Sequence, residues 1–147
     1  MDTDLPIEDD TDGHIAQVLG ERLYEYNVAA TGVTDGREFA IVVRDHEGDL
    51  LAGLAGTTWG GYLEIMALWV RADQRGKGFG TRLLAAAEQD ACAHGCRHAV
   101  LDTHSFAAPA FYQKHGYAVY GMLDGYPAGH RKYHCKKDLR CGDGLSR

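Results

Sequence analysis

The sequence predicts a mixed α/β fold, a mostly antiparallel sheet flanked by helices. Three observations carry this. Apolar residues alternate in runs between residues 37 and 70 that are separated only by short turns. Apolar residues take helical spacing in "GHIAQVLGERLYEYN" and in "TRLLAAAEQDACAH". Further strand-like runs follow, each reached across a helix-like one.

The elements follow in order. The first helix carries Ile15, Val18, Leu19, Leu23 and Tyr26 along one stripe. "REFAIVVRD" is a strand with Phe39, Ile41 and Val43 on one face, and "HEG" turns the chain. "DLLAGLAGTTW" is the second strand, and Gly60–Gly61 turns it into the third, "YLEIMALWV". Turns this short imply an antiparallel meander. A helix from about Gly80 to His94 packs Leu83, Leu84, Ala87 and Ala91 inward and ends at Gly95. "RHAVLDT" is a strand expected to run parallel to its predecessor. "APAFYQKHG" is a short helix, with Pro109 in its first turn and Gly116 at its end. "YAVYGML" and "HRKYHCKKDL" are the last two strands, and "CGDGLSR" reads as a frayed tail. The expected organisation is an acidic, flexible segment at 1–12, one domain over 13–139 and a tail at 140–147.

Composition narrows the function classes. A chain of 147 residues, 45% of them hydrophobic, can build one core. No apolar run approaches the roughly 20 residues that span a bilayer, and the acidic start is not a secretory signal. A cytoplasmic protein with no membrane partner is expected. Six of the 21 acids lie in residues 1–12, leaving 15 to balance 15 Lys and Arg. Without a basic stripe, no nucleic-acid partner is expected; "HRKYHCKK" reads as a solvated strand face. The stretch "CAHGCRH" interleaves Cys92, His94, Cys96 and His98, a set able to bind zinc. Its path from a helix end through Gly95 into a strand would scatter these side chains. No metal and four buried, reduced thiols are expected.

The loop between the third strand and the following helix reads "DQRGKGFGTRLL". A glycine-rich turn at a helix N-terminus offers free N–H groups and a favourable dipole to an anion. Spacing excludes G-x-G-x-x-G, because the third glycine, Gly80, comes one position early. It also excludes G-x-x-x-x-G-K-[ST], because Thr81 and Arg82 follow Gly80. What remains is R-x-x-G-x-G at Arg75, Gly78 and Gly80.

This motif resembles the pyrophosphate loop of the GCN5-related N-acetyltransferases, the GNAT superfamily. Downstream, "APAFYQKHGY" resembles the family's A-x-x-x-[FLY]-Y-x-x-x-G-[FY] segment. The element order fits from about residue 13 to 139, and "LDTHSFAAPAFY" and "YPAGHRKYHCKKDL" resemble a bacterial single-domain branch. In the family the loop follows the fourth strand and opens the third helix, and the same is expected here. The resemblance implies a GNAT-type sheet and acetyl-CoA as co-substrate. Its pyrophosphate would be wrapped by the backbone of Arg75, Gly76, Lys77, Gly78, Phe79, Gly80 and Thr81. A ligand-free glycine connection is the plain alternative.

Acetyl transfer to an amine needs a lost amine proton, a donor for the carbonyl oxygen and a proton for the leaving thiolate. By resemblance Tyr112 is the acid beside the coenzyme sulfur; alternatively it is a core aromatic, as Phe111 is expected to be. Glu64 is the candidate base. Strand alternation puts it on one face with Tyr62, Met66, Leu68 and Val70, where burial would raise its pKa. In the histone-acetylating branch the base lies at the same offset from the glycine motif. A surface acid, a ligand for the substrate's ammonium or a water base are the other readings. The resemblance also implies that Leu68 and Val70 pair through their backbones with the pantetheine arm. Ser105 stands where many relatives have an asparagine that contacts the coenzyme. The acceptor pocket would draw on Tyr24, Tyr26, Asn27, Trp59, Asp124, Tyr126 and His130.

The expected function is transfer of an acetyl group from acetyl-CoA to a primary amine of a small molecule, by direct attack in a ternary complex. A protein N-terminal or lysine acetyltransferase and a non-catalytic acyl-CoA sensor are the alternatives. A homodimer is compatible with each.

Overall fold

A computed structural model describes residues 4–142 and divides the chain between Thr34 and Asp35 into two compact units. The first holds one helix, α1 (His14–Thr31), four residues longer than expected because nothing in Val28–Thr31 breaks it before Gly32. Gly32 takes φ 74° and its N–H closes the helix on the Val28 carbonyl at 2.7 Å. The acidic segment ahead of α1 has a local role. Asp12 Oδ1 accepts the His14 N–H at 2.9 Å and Asp10 Oδ2 the Ile15 N–H at 3.0 Å. Carboxylates thus meet the helix end whose N–H groups lack partners and whose dipole is positive.

The second unit is built on a six-stranded sheet. Strands β1 (Arg37–Arg44), β2 (Leu50–Trp59) and β3 (Tyr62–Val70) form the expected antiparallel meander. A 3₁₀ turn at Ala72–Gln74 leads to α2 (Phe79–Ala93). Then come β4 (His98–His104), parallel to β3, α3 (Pro109–Lys114), β5 (Ala118–Asp124) and β6 (Arg131–Asp138). The spatial order is β1-β2-β3-β4-β6-β5. The glycine loop therefore follows the third strand and opens the second helix, one strand and one helix fewer than expected. Residues 4–12 form no strand because they hold five acids and only two large apolar residues, Leu5 and Ile7.

The last strand in chain order is not the last in space. β6 pairs with β4 on one side and β5 on the other, so it lies inside the sheet rather than at its edge, while Arg131 and Lys136 keep the solvated face that was expected. Four of its five bases are matched by acids, Arg131 to Asp124 (2.8 Å), Lys132 and His134 to Asp102 (3.6 and 2.7 Å), and Lys137 to Glu88 (2.8 Å), while Lys136 Nζ lies 5.7 Å from the Tyr120 ring centre.

The core is formed by Leu54, Leu63, Ile65, Ala99, Leu101 and Cys135 from the sheet, with Leu83, Leu84, Ala87 and Ala91 of α2 as expected. Ala87 and Ala91 are fully buried and let α2 approach β1–β3 closely. Arg37 of β1 pairs with Asp90 of α2 at the edge of this contact.

One irregularity matters more than the rest. Between β2 and β3, Ala55 pairs with Ala67 but Gly56 pairs with Ile65, leaving Met66 as an extra residue on β3. This β-bulge reverses the alternation. Leu63 and Ile65 face the core before it, and Leu68 and Val70 are half-buried after it. Tyr62 and Glu64 therefore do not share a face with Leu68 and Val70, contrary to the simple alternation. Gly56 allows the bulge, since a Cβ there would lie 2.7 Å from the Glu64 carbonyl oxygen.

The cysteines divide. Cys96 and Cys135 are free and buried as expected, and desolvation pushes both thiols up. Cys92 and Cys141 instead form a disulfide across 49 residues of sequence. The expectation of four thiols fails because Cys141, placed in a frayed tail, packs against the core beside α2. Positions 143–147 of that tail lie outside the described residues.

Two outcomes follow. In denaturant without reductant, thiol titration should find the two free cysteines, and four after reduction. Opening a cross-link over this span should also lower stability by about 2–4 kcal/mol, read as a fall in Tm. Gly56→Ala should cost about 1–3 kcal/mol in denaturant unfolding, because its methyl group meets backbone rather than a flexible side chain.

Candidate active site

The β3–β4 ladder runs only from Tyr62–His98 to Ile65–Leu101. Beyond it β3 continues to Val70 and β4 to His104 without pairing to each other, while β4 keeps the ladder with β6 that runs along its whole length. The parallel strands thus separate at the bulge. A cleft of about 760 Å³ opens along the freed part of β3, lined by Leu68, Trp69 and Val70, by Gln74, Arg75, Gly76, Gly78, Phe79, Gly80 and Thr81, and by Phe106, Ala107, Ala108, Phe111, Tyr112 and Lys114.

The glycines of the loop have separate reasons. Gly76 and Gly78 take φ 78° and 85°, which other residues adopt only with strain. Gly78 caps α2, and its carbonyl accepts the Arg82 N–H at 3.0 Å. The N–H groups of Phe79, Gly80 and Thr81, in the first turn, have no partner within the helix and are free to bind an anion. Gly80 serves packing: a Cβ there would lie 3.3 Å from Phe111 Cζ, so glycine lets α3 come against the start of α2. Thr81 Oγ1 and His115 Nε2, 3.2 Å apart, join the same two helices. Arg75 is held at Nε by the Val70 carbonyl at 3.2 Å, which ties the loop to the end of β3.

Tyr112 sits on α3 and lines the cleft. Its ring meets Phe111 and Tyr117 edge-on, at 5.2 and 6.0 Å between centroids. Burial, and then the neighbouring Cys135, raise its phenol above the usual tyrosine range. The hydroxyl keeps its proton at neutral pH and can donate it.

The structure thus brings together Leu68, Val70, Arg75, Gly76, Gly78, Phe79, Gly80, Thr81 and Tyr112. Lys77 is in the loop but off the lining, its Nζ 3.2 Å from Gln74 Oε1. Ser105 is outside the lining, its hydroxyl accepting the Arg131 N–H at 3.0 Å at the end of the β4–β6 ladder. Glu64 is exposed and outside the lining, so the expected burial is absent. Trp59 closes β2 opposite Tyr62. Tyr24, Tyr26 and Asn27 belong to α1 in the other unit. Asp124 is exposed and bound to Arg131 Nε at 2.8 Å, so its charge is already matched. Trp69, Gln74, Phe106, Ala107, Ala108 and Lys114 were not legible as lining. The bulge hides the aim of Trp69, and the rest depend on where α3 comes to lie.

Beside the cleft, aromatic rings gather around Phe106. His104 stacks on it at 5.0 Å, and His130 meets it edge-on at 5.1 Å. Tyr126 lies 5.4 Å from His104, with Lys132 Nζ 4.6 Å from the Tyr126 ring centre. The 125–130 loop is closed by Gly125 N–H to His130 O and His130 N–H to Pro127 O, both at 2.9 Å. Among the described residues no group of three or more His, Cys, Asp and Glu converges as a metal site would require.

A mixed sheet that opens beside a helix N-terminus ready for an anion defines the class of protein. The sequence profile of the Acetyltransferase (GNAT) family matches residues 7–117, and the chain belongs to that family. Acetyltransferases of this family use acetyl-CoA. The residues fit such a donor, with glycines and Arg75 at one end of the cleft and a protonated phenol along it. An acetyltransferase of Agrobacterium fabrum is 32% identical over 84% of this chain and 90% of its own. The blasticidin-S acetyltransferase of Streptomyces morookaense is 36% identical over 69% of this chain and 75% of its own. The crystal structure of an acetyltransferase from Bacillus cereus superposes with a TM-score of 0.78 at 35% identity, over 92% of this chain and 98% of that one.

Proposed function

We propose that this protein transfers the acetyl group of acetyl-CoA to a primary amine of a small molecule, by direct attack with both substrates bound. The observation that carries this is the single cleft that joins the first turn of α2 to Tyr112 along the freed end of β3. The pyrophosphate would lie on the N–H groups of Phe79–Thr81, with the Arg75 fork, already fixed at Nε, turned to it. The pantetheine arm would run along Leu68–Val70, where β3 has lost its neighbour. As the thioester C–S bond breaks, Tyr112 protonates the thiolate.

Among the described residues the cleft lining has no carboxylate and no imidazole. We therefore assign the amine proton to water, with Glu64 acting at most through solvent from its exposed place on β3. The acceptor would enter beside Phe106, Tyr126 and His130, whose rings border the cleft wall. A small molecule is favoured over a protein because a relative 36% identical, the blasticidin-S acetyltransferase of Streptomyces morookaense, is named for a small-molecule acceptor. Thiol release from acetyl-CoA, measured against nucleoside antibiotics, polyamines, aminoglycosides and peptides, tests this. Acceptor-dependent release only with peptides would move the reading to a protein acetyltransferase. Tight coenzyme binding with no release would make the protein a sensor.

Tyr112→Phe should lower kcat by about 10²-fold and leave the KM for acetyl-CoA within about threefold. An unchanged kcat in steady-state assays would remove the acid role. Glu64→Gln should change kcat/KM by less than about threefold and keep the acidic limb of its pH profile. A large loss with that limb abolished would return the base role to Glu64.

A further inference from the structure

Outside the cleft, one carboxylate is held in the interior. Glu88 lies on α2, its side chain 17% exposed, and both oxygens are used. Oε2 accepts the Tyr117 hydroxyl at 2.8 Å and Oε1 accepts Lys137 Nζ at 2.8 Å. Tyr117, 2% exposed, follows the turn after α3, and Lys137 lies on β6. Burial, then the charge and hydrogen bond of Glu88, push the Tyr117 phenol far up, so it stays a donor. The Lys137 stem crosses Gly116, where a Cβ would lie 3.3 Å from Lys137 Cε and where φ is 95°. The turn after α3 is therefore held between α2 and β6.

Tyr117 also holds Tyr112 directly. Its N–H donates to the Tyr112 carbonyl at 3.0 Å, and the two rings meet edge-on at 6.0 Å. Three apolar side chains could fill this space without the desolvation that a buried ion pair costs. What the polar trio adds is direction, because each hydrogen bond fixes an angle as well as a distance.

We propose that Glu88 and Tyr117 are positioning residues for Tyr112. They set the proton donor against the same helix whose first turn lines the other end of the cleft. Glu88 lies eight residues along α2 from Gly80, about 12 Å at the helical rise. One rigid rod thus fixes the spacing between anion site and acid. This rests on the reading of Tyr112 as the acid.

A double-mutant cycle on the full-length enzyme tests it, with kcat, the KM for acetyl-CoA and Tm read for Tyr117→Phe, Tyr112→Phe and the pair. Tyr117→Phe should lower kcat about tenfold with the KM within about twofold, and should cost nothing further in the Tyr112→Phe background. Glu88→Gln, whose amide oxygen still accepts from Tyr117, should keep more of kcat than Glu88→Ala. Should Tyr117→Phe not fold, Glu88→Gln takes its place in the cycle, with a loss of about threefold that vanishes without the Tyr112 hydroxyl. Multiplying losses in the pair, an unchanged kcat, or a rise in KM alone overturns the proposal while leaving Tyr112 as acid. An unchanged kcat in Tyr112→Phe alone overturns the acid reading, and this inference with it.

Discussion

The separation of β3 from β4 is the constraint on which the rest depends. Parallel strands gain by pairing along their whole length, and an unpaired stretch of backbone must be satisfied elsewhere. Here pairing stops after Ile65 and Leu101. The cause lies on the other side of β3, where Gly56 leaves room for the extra residue Met66. The bulge bends β3, while β4 stays paired with β6 along its whole length. A small residue on the strand next to the cleft-lining β3 thus makes room for the irregularity at which the cleft begins.

The second requirement is that two helices converge there. α2 supplies the loop end and α3 supplies Tyr112, and their approach is made by Gly80 against Phe111 and by Thr81 against His115. Further along α2, Glu88 joins the same helix to the turn after α3. Donor loop and phenol therefore share one support. A catalytic arrangement tolerates little play between its parts, and parts carried on one helix move together.

Much of this was legible in the sequence because it rests on local patterns. Leu83, Leu84, Ala87 and Ala91 announce the buried face of α2, and Arg75-x-x-Gly78-x-Gly80 announces an anion loop. What was not legible depends on register or on tertiary partners. Alternation along "YLEIMALWV" grouped Glu64 with Leu68, because a bulge has no signature on the strand that carries it. The hydrogen bond from the Arg131 N–H to the Ser105 hydroxyl joins residues 26 apart, which no local pattern shows. Cys141 looked like tail because its partner lies 49 residues earlier. Lys114 and Phe106 become cleft residues only when α3 is placed.

The position of β6 has a consequence for how the chain is made. It is the last strand to be synthesised, yet it lies inside the sheet, between β4 and β5, and carries the fully buried Cys135. While the ribosome still holds these residues, β5 has no neighbour and β4 has an open edge. The sheet can close only after β6 has emerged, so β4 and β5 wait on it for their pairing. A nascent chain arrested before residue 131 would expose two unpaired edges, the feature that invites strand addition from other chains.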